Sequence, residues 1–138
     1  MNANQRKQRA TEFLTLCSLG QTDRVTDMIT DDYVFESMKR ANGPGQENEP
    51  LVNIVAREAF LAYAPSVVGR TKTGLNLVVE TAMADGDDVA LFGTSNAVTQ
   101  KDMVYSNAYC WFFRFRGDRI ALFREYCDFH LVHTVLRA

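Results

Sequence analysis

The second half of the chain, from Gly74 to Asp128, constrains the fold more than any other feature of the sequence. Apolar, β-branched and aromatic stretches alternate there with short turns rich in Gly, Asp and other polar residues. The stretches are 75–84, 88–98, 104–116 and 119–128, and the turns between them are 85–87, 99–103 and 117–118. Strands joined by such short turns pair antiparallel in chain order. The sequence therefore predicts a four-stranded antiparallel meander.

The first half has helical spacing instead. The predicted inner face of the first helix comprises Ala10, Phe13, Leu16 and Cys17, and Gly20 is expected to end that helix. Thr22 is suited to cap a short second helix, whose apolar side comprises Val25, Met28 and Ile29.

A first strand is predicted over 33–38, followed by a polar loop over 39–50 that forms either a lid or rim or a mobile surface excursion. A third helix is predicted next, with an apolar stripe comprising Val52, Val55, Ala56, Ala59, Phe60 and Tyr63. Pro65 is expected to end it. Helices followed by strands indicate an α+β fold in which helices cover one curved antiparallel sheet. Residues 1–138 are predicted to form one domain.

Composition excludes several classes of protein. The formal net charge is −2 and the two signs are interspersed, which argues against a nucleic-acid-binding surface. The sequence lacks an apolar run of membrane-spanning length and a signal-peptide core. Cys17, Cys110 and Cys127 are widely spaced among apolar residues and are interpreted as reduced thiols. We therefore expect a cytoplasmic protein.

Three segments carry a resemblance to a known family. They are FLTLCSLG at 13–20, ITDDYVFESM at 29–38 and YCWFFRFRGDRIALFREYCD at 109–128. With these segments in this order, the chain resembles the nuclear-transport-factor-2-like superfamily, and within it the SnoaL-like polyketide cyclases, ketosteroid isomerases and limonene-epoxide hydrolases. The resemblance implies a cone-shaped sheet with helices on its concave face and a deep apolar pocket between them. It also implies a homodimer formed through the sheet, a small hydrophobic ligand and no cofactor.

The register of the last hairpin decides which side chains face inward. A two-residue turn at 117–118 places Phe123 and Glu125 opposite Phe112 and Cys110. The resemblance implies one extra, bulged residue, and a bulge shifts the facing by one position. That register groups Asn107, Tyr109 and Trp111 with Phe123, Glu125 and Cys127, and it is the register we adopt.

Glu125 is the main catalytic candidate, since it matches the acidic residue in the Trp-Arg-Asp-Tyr motif of the resembled epoxide hydrolases. Among Phe123, Cys127 and Trp111 its carboxyl would be poorly hydrated, and desolvation raises a carboxyl pKa toward the range useful for acid–base catalysis. The alternatives are an ion pair with Arg114 or Arg124, or a position in solvent.

Other side chains are candidates for contact with a ligand. Asn96 and Tyr109 are predicted to act with Glu125 by directing hydrogen-bond donors at a substrate oxygen. The predicted lining of the pocket comprises Phe13, Phe35, Ser37, Phe60, Thr94, Asn107, Trp111, Phe123 and Cys127.

Several positions depart from the resembled enzymes. Ser37 stands where the ketosteroid isomerases have their catalytic Asp, and Phe35 and Ser37 replace the Tyr and Asn of the epoxide hydrolases. Neither of those two mechanisms is therefore expected, and the pocket is predicted to be more apolar.

Asp128, His130 and His133 form an Asp-x-His-x-x-His pattern. Because the resembled family is usually metal-free, we interpret these histidines as structural or dimer-contact residues and expect no metal. Glu36 and Glu80 alternate with apolar neighbours and are predicted to face solvent.

Three functional hypotheses follow. The favoured one is a cofactor-independent enzyme that isomerises, cyclises, hydrates or dehydrates an apolar, oxygen-containing molecule. The second is a non-catalytic binding protein for such a ligand, and the third is a protein-association domain.

Overall fold

The computed structural model describes residues 1–39 and 42–138. Its helices are α1 (Ala3–Ser18), α2 (Arg57–Val68) and α3 (Phe129–Leu131), and a π-helical turn covers Val132–Leu136. Two 3₁₀ turns cover Thr22–Arg24 and Thr26–Met28. The strands are β1 (Ile29–Met38), β2 (Val52–Ala56), β3 (Val78–Asp85), β4 (Asp88–Val98), β5 (Val104–Arg116) and β6 (Arg119–Cys127).

Helix α1 forms as predicted. Asn2 and Gln5 make a reciprocal capping box at its start, which satisfies two backbone N–H groups. The predicted inner face is buried, together with Leu14. Gly20 follows the helix at φ = 72°, a left-handed conformation that glycine adopts without steric cost.

The predicted second and third helices are partly wrong. The second consists of two 3₁₀ turns, and Ile29 already belongs to β1. In the third, 52–56 is strand β2, which pairs antiparallel with β1, and the helix begins only at Arg57. Three of those five residues are Val or Ile, which favour the pleated conformation when a partner strand is available.

Pro65 lies inside α2 and does not end it. Proline lacks an N–H and so leaves the carbonyl four residues earlier, that of Leu61, without its helical donor. The Thr22 hydroxyl donates to the Leu61 carbonyl oxygen at 2.9 Å, which replaces the missing bond. Thr22, predicted as a helix cap, therefore allows α2 to continue to Val68.

The six strands form one curved sheet in the order β2-β1-β6-β5-β4-β3. The predicted meander from β3 to β6 is confirmed, and β4 and β5 have the predicted bounds. The pairing of β1 with β6 is parallel, so the sheet is mixed. The α+β class is confirmed.

Helices α1 and α2 pack on one face of the sheet around a cluster of aromatic rings. Phe123 of β6 stacks on Phe113 of β5 at 4.6 Å between ring centroids and contacts Phe13 and Phe60 of the two helices. Such ring pairs stabilise a core beyond simple burial. This cluster fixes the helices over the inner face of the sheet.

Two further expectations concern the chain's surface and membrane association. The predicted loop over 39–50 contains turns in 42–50, whereas Arg40 and Ala41 lie outside the described residues. Within the described part of the chain, every helix is too short or too polar to cross a membrane.

Candidate active site

The β5–β6 hairpin adopts the bulged register. Arg114 pairs with Leu122 and Phe115 with Ile120, so Ala121 is the extra residue. Beyond the bulge, Trp111 pairs with Glu125. Because directly opposed residues share a face of the sheet, Glu125 lies on the inner face with Trp111.

A cavity of about 100 Å³ lies between this inner face, the two helices and the C-terminal segment. Its wall is mostly apolar and comprises Leu14, Cys17, Ser18, Phe35, Phe60, Tyr63, Ala64, Val67, Val68, Leu75, Leu77, Tyr105, Tyr109, Phe123, Glu125, Val132 and Leu136. Glu125 is the one carboxylate among these described wall residues. The cavity therefore combines an apolar surface with a single acidic group.

The Glu125 carboxyl is held by a hydrogen bond from Trp111. The indole Nε1–H donates to Oε1 at 3.1 Å, and Trp111 itself is fully buried. Glu125 as a whole retains some solvent contact, while its carboxyl is surrounded by protein atoms. Desolvation raises the pKa of this carboxyl, and the Trp111 hydrogen bond opposes that rise only in part.

Both arginines considered as partners of Glu125 are paired elsewhere. Arg124 Nε donates to Glu36 Oε2 at 2.6 Å on the opposite face of the sheet, and Arg114 forms a bidentate pair with Asp88 at 2.8 and 3.1 Å. The ion-pair alternative for Glu125 is therefore wrong. Glu36, predicted to face solvent, is half-buried in its pair with Arg124.

Tyr109 belongs to a buried cluster of hydroxyl groups beside Glu125. Its ring stacks on Trp111 at 4.8 Å, and its Oη lies 3.0 Å from Ser95 Oγ and 2.8 Å from Tyr105 Oη. Desolvation raises the pKa of Tyr105 to about 12 and raises that of Tyr109 further, aided by the nearby Glu125 charge. Both phenols are thus protonated at neutral pH.

Asn96 and Thr94 were assigned to the wrong face. Asn96 is exposed and accepts a hydrogen bond from Ser106 Oγ at 3.3 Å, and Thr94 lies on the same outer face. The inner face of β4 instead carries Leu91, Ser95 and their alternate neighbours. Ser95 was missed, although alternation from the apolar Leu91 indicates that it faces inward.

Asn107 is buried but organises backbone instead of lining the cavity. Its Nδ2 donates to the Asp128 carbonyl oxygen at 3.0 Å, and its Oδ1 accepts from the Asp128 N–H at 3.1 Å. The Ala108 N–H also donates to Oδ1, at 2.9 Å. These bonds connect β5 to the beginning of α3.

The other predicted lining residues divide into two groups. Phe35, Phe60 and Phe123 contact the cavity. Four predicted residues do not line it, namely Phe13, Ser37, Trp111 and Cys127. Four wall residues were not predicted: Tyr63, Tyr105, Val132 and Leu136. The last two were missed because no periodic pattern in the sequence indicates that the C-terminus folds back over the sheet.

The Asp-x-His-x-x-His pattern has a structural role for its acidic residue. Asp128 Oδ1 accepts the backbone N–H of His130 at 2.9 Å and caps α3, and the His133 ring stacks with Phe129. Over residues 1–39 and 42–138, no group of three His, Cys, Asp or Glu side chains is arranged to hold a metal ion.

The model of the SnoaL-like domain family matches residues 10–123. The chain belongs to the SnoaL-like family. The match includes the part of α1 from Ala10 onward, the first five strands and Phe123 of the cavity wall, and it ends two residues before Glu125. A comparison with curated proteins gave no match.

Solved structures share this SnoaL-like fold at low sequence identity. A nuclear-transport-factor-2-like protein of unknown function from Burkholderia pseudomallei has a TM-score of 0.75 at 13% identity, covering 100% of both chains. AclR, a proposed hydroxylase from Streptomyces galilaeus, has a TM-score of 0.74 at 17% identity, and the match covers 99% of this chain and 87% of AclR. An LEH-like epoxide hydrolase from M. tuberculosis has a TM-score of 0.69 at 19% identity, and the match covers 98% of this chain and 92% of the hydrolase. At such identities the similarity shows the fold alone.

The raised pKa of Glu125 predicts how stability depends on pH in this SnoaL-like protein. A carboxyl whose pKa is higher in the folded than in the unfolded chain makes its full contribution to the free energy of unfolding at pH values below the unfolded pKa. That contribution is lost as the pH rises through the folded pKa. Glu125→Gln should therefore match wild type near pH 4 and melt at a higher temperature near pH 8. Thermal melts of both proteins at the two pH values measure this, and a difference independent of pH would contradict it.

Proposed function

We propose that the cavity binds a small, apolar, oxygen-containing molecule and that Glu125 transfers a proton to and from it. One observation carries the proposal: among the described residues, the only carboxylate on the cavity wall has no cationic partner and is held by a single indole N–H. A carboxylate neutralised by an ion pair is a poor base, whereas a desolvated one has its pKa moved toward the working pH.

The cavity limits the size and polarity of the ligand. An apolar cavity of about 150 Å³ admits benzene, so a cavity of about 100 Å³ suits a five-membered ring when no side chain moves. A larger substrate requires displacement of the C-terminal cover, Val132 and Leu136. The aromatic wall, with Phe35, Phe60 and Phe123, favours a ligand with little charge.

The proposed step is reversible proton transfer at a carbon next to a carbonyl group. The Glu125 carboxylate takes the proton, the C–H electron pair forms a C–C double bond, and the carbonyl π electrons move to oxygen. When a second C=C bond is conjugated with the enolate, the C=O bond re-forms and the far carbon of that system takes the proton back from Glu125, which isomerises the molecule. Attack of the enolate carbon on a second carbonyl carbon cyclises the molecule, and the oxygen of that second carbonyl then takes the proton that Glu125 removed. Each outcome needs one acid–base group and no cofactor.

Two other arrangements receive less support. The described cavity wall has no arginine and no second carboxylate, so it gives no support to the epoxide-hydrolase mechanism, which the departures at Phe35 and Ser37 already argue against. A purely binding function has no feature of its own in the structure and becomes an outcome of the experiment below.

Deuterium exchange of cyclopentanone tests the proposal. In D₂O, NMR should show that wild-type protein accelerates loss of the protons next to the carbonyl above the buffer rate. The rate should rise with pH, because only the carboxylate form of Glu125 accepts a proton. The midpoint of this rise should lie above the ordinary Glu pKa of about 4.3. Binding of cyclopentanone without any acceleration would overturn catalysis and leave a binding protein.

A cavity-filling variant is the control for this exchange. Ala64 lies on the cavity wall and is buried, so Ala64→Phe would occupy the ligand's space and leave Glu125 in place. Exchange by this variant at the wild-type rate would place the reaction outside the cavity.

A further inference from the structure

We infer that Tyr105 and Tyr109 together present one hydroxyl proton to the cavity, so that the ligand carries an acceptor oxygen, such as a carbonyl, at that point of the wall. This deepens the proposed function and rests on it, because it names the group on the ligand that the tyrosine pair recognises. Tyr105 and Tyr109 lie on the same cavity wall as Glu125.

The orientation of Asn107 fixes the direction of the hydrogen bonds. Its Oδ1 accepts the backbone N–H groups of Ala108 and Asp128, so the other side-chain atom is the NH₂ group. That NH₂ group donates to Tyr105 Oη at 2.9 Å, and the Asn107 backbone N–H donates to Ser95 Oγ at 3.2 Å. Tyr105 and Ser95 therefore each already accept one bond.

The three hydroxyl groups of this cluster carry one proton more than the hydrogen bonds between them use. The hydroxyls of Ser95, Tyr105 and Tyr109 carry three protons, and only two hydrogen bonds connect them, one between Ser95 and Tyr109 and one between Tyr105 and Tyr109. Within the described residues, these hydroxyls have no other acceptor for the remaining proton. A buried donor without an acceptor is costly, so that proton requires a partner from outside the protein.

The position of Ser95 decides where the free proton lies. Ser95 is 3% exposed and does not contact the cavity, and among the described residues Tyr109 Oη is the one acceptor within reach of its hydroxyl proton. The remaining proton belongs to Tyr109 or to Tyr105, depending on which donates to the other, and both phenols contact the cavity. In either arrangement the pair offers one donor.

The apolar wall makes this donor selective for its ligand. A ligand oxygen that accepts the proton satisfies a buried donor, whereas a hydrocarbon of the same shape leaves that donor unpaired. The raised pKa values of both phenols keep the proton in place at neutral pH.

A matched pair of ligands tests the inference. Cyclopentanone and methylenecyclopentane have nearly the same shape, and only the ketone accepts a hydrogen bond. NMR titrations should show that wild type binds the ketone about threefold to tenfold more tightly, as expected for one neutral hydrogen bond. The infrared C=O stretch of the bound ketone should lie below its frequency in hydrocarbon solvent. Equal affinity for the two ligands, or an unshifted C=O stretch, would overturn the inference.

Variants of the two tyrosines distinguish a shared donor from a single one. In Tyr105→Phe, Tyr109 still accepts from Ser95 and keeps a free proton. In Tyr109→Phe, Tyr105 still accepts from Asn107 and keeps one as well. Each single variant should therefore retain the preference for the ketone, and the double variant should lose it. Abolition by one single variant alone would overturn the sharing of the proton.

The ligand-preference test of the hydroxyl donor and the deuterium-exchange test of catalysis can give different results. A preference for the ketone without any deuterium exchange would support the hydroxyl donor and overturn catalysis. Deuterium exchange together with equal binding of both ligands would support catalysis and overturn the hydroxyl donor. Failure of both ligands to bind would overturn both. Should the double variant not fold, the C=O stretch measured with wild-type protein still decides the inference.

Discussion

Glu125→Gln should lower the rate of cyclopentanone deuterium exchange by about a hundredfold to ten-thousandfold, the range that one positioned acid–base group contributes. Glutamine has the same shape, and its side-chain oxygen can still accept the Trp111 N–H that now bonds Glu125 at 3.1 Å. The substitution therefore removes the proton acceptor and leaves the cavity wall in place. Affinity for the ketone should change far less than the rate.

Glu36→Gln is the matched control for this loss. Glu36 is also a strand glutamate, but it lies on the outer face of the sheet in its pair with Arg124, away from the cavity wall. Its substitution should leave the exchange rate near that of wild type. A Glu125→Gln protein that exchanges within a few-fold of wild type would remove Glu125 from the mechanism.

The elements that the sequence predicted best are those set by neighbouring residues. The bounds of β4 and β5 follow from alternation and from the turns 85–87 and 117–118. The helix predicted over 52–56 was wrong, because the apolar residues of this segment fit a helical stripe as well as a strand. Pairing with β1 decides between the two, and a local pattern contains no information about that distant partner.

The candidate site was predictable only in part for the same reason. The inward position of Glu125 depended on one bulged residue, Ala121, which the family resemblance implied and the spacing alone left open. Asn96 was predicted to face the ligand, whereas alternation along β4 places it outward beside the inward Ser95. The contribution of Leu136 required the C-terminus to fold back over the sheet.

The small residues of β4 matter as much for the site as the large aromatic ones. Ser95 and Gly93 both face inward beneath the aromatic rings of β5. A Cβ atom at Gly93 would lie 2.9 Å from Trp111 Cζ3, and Trp111 is the residue that holds Glu125. The absence of a side chain at Gly93 therefore makes room for the indole that positions the carboxylate.

Gly93→Ala should consequently destabilise the protein by about 3–5 kcal/mol, at the upper end for a single added methyl group. The new Cβ would overlap the carbonyl oxygen of Val78 and lie 2.9 Å from its carbonyl carbon. Those atoms are backbone and cannot rotate away, so either β3 separates from β4 or the Trp111 indole is displaced. Urea denaturation measures the loss.

Gly43→Ala is the matched control, because among the described residues its added Cβ would meet only the Gln46 side chain, at an ordinary 3.5 Å. That variant should stay within about 0.5 kcal/mol of wild type. A Gly93→Ala protein as stable as the Gly43→Ala protein would show that β3 can move aside freely. In that case the indole of Trp111, and with it the Glu125 carboxyl, would not depend on the close approach of these two strands.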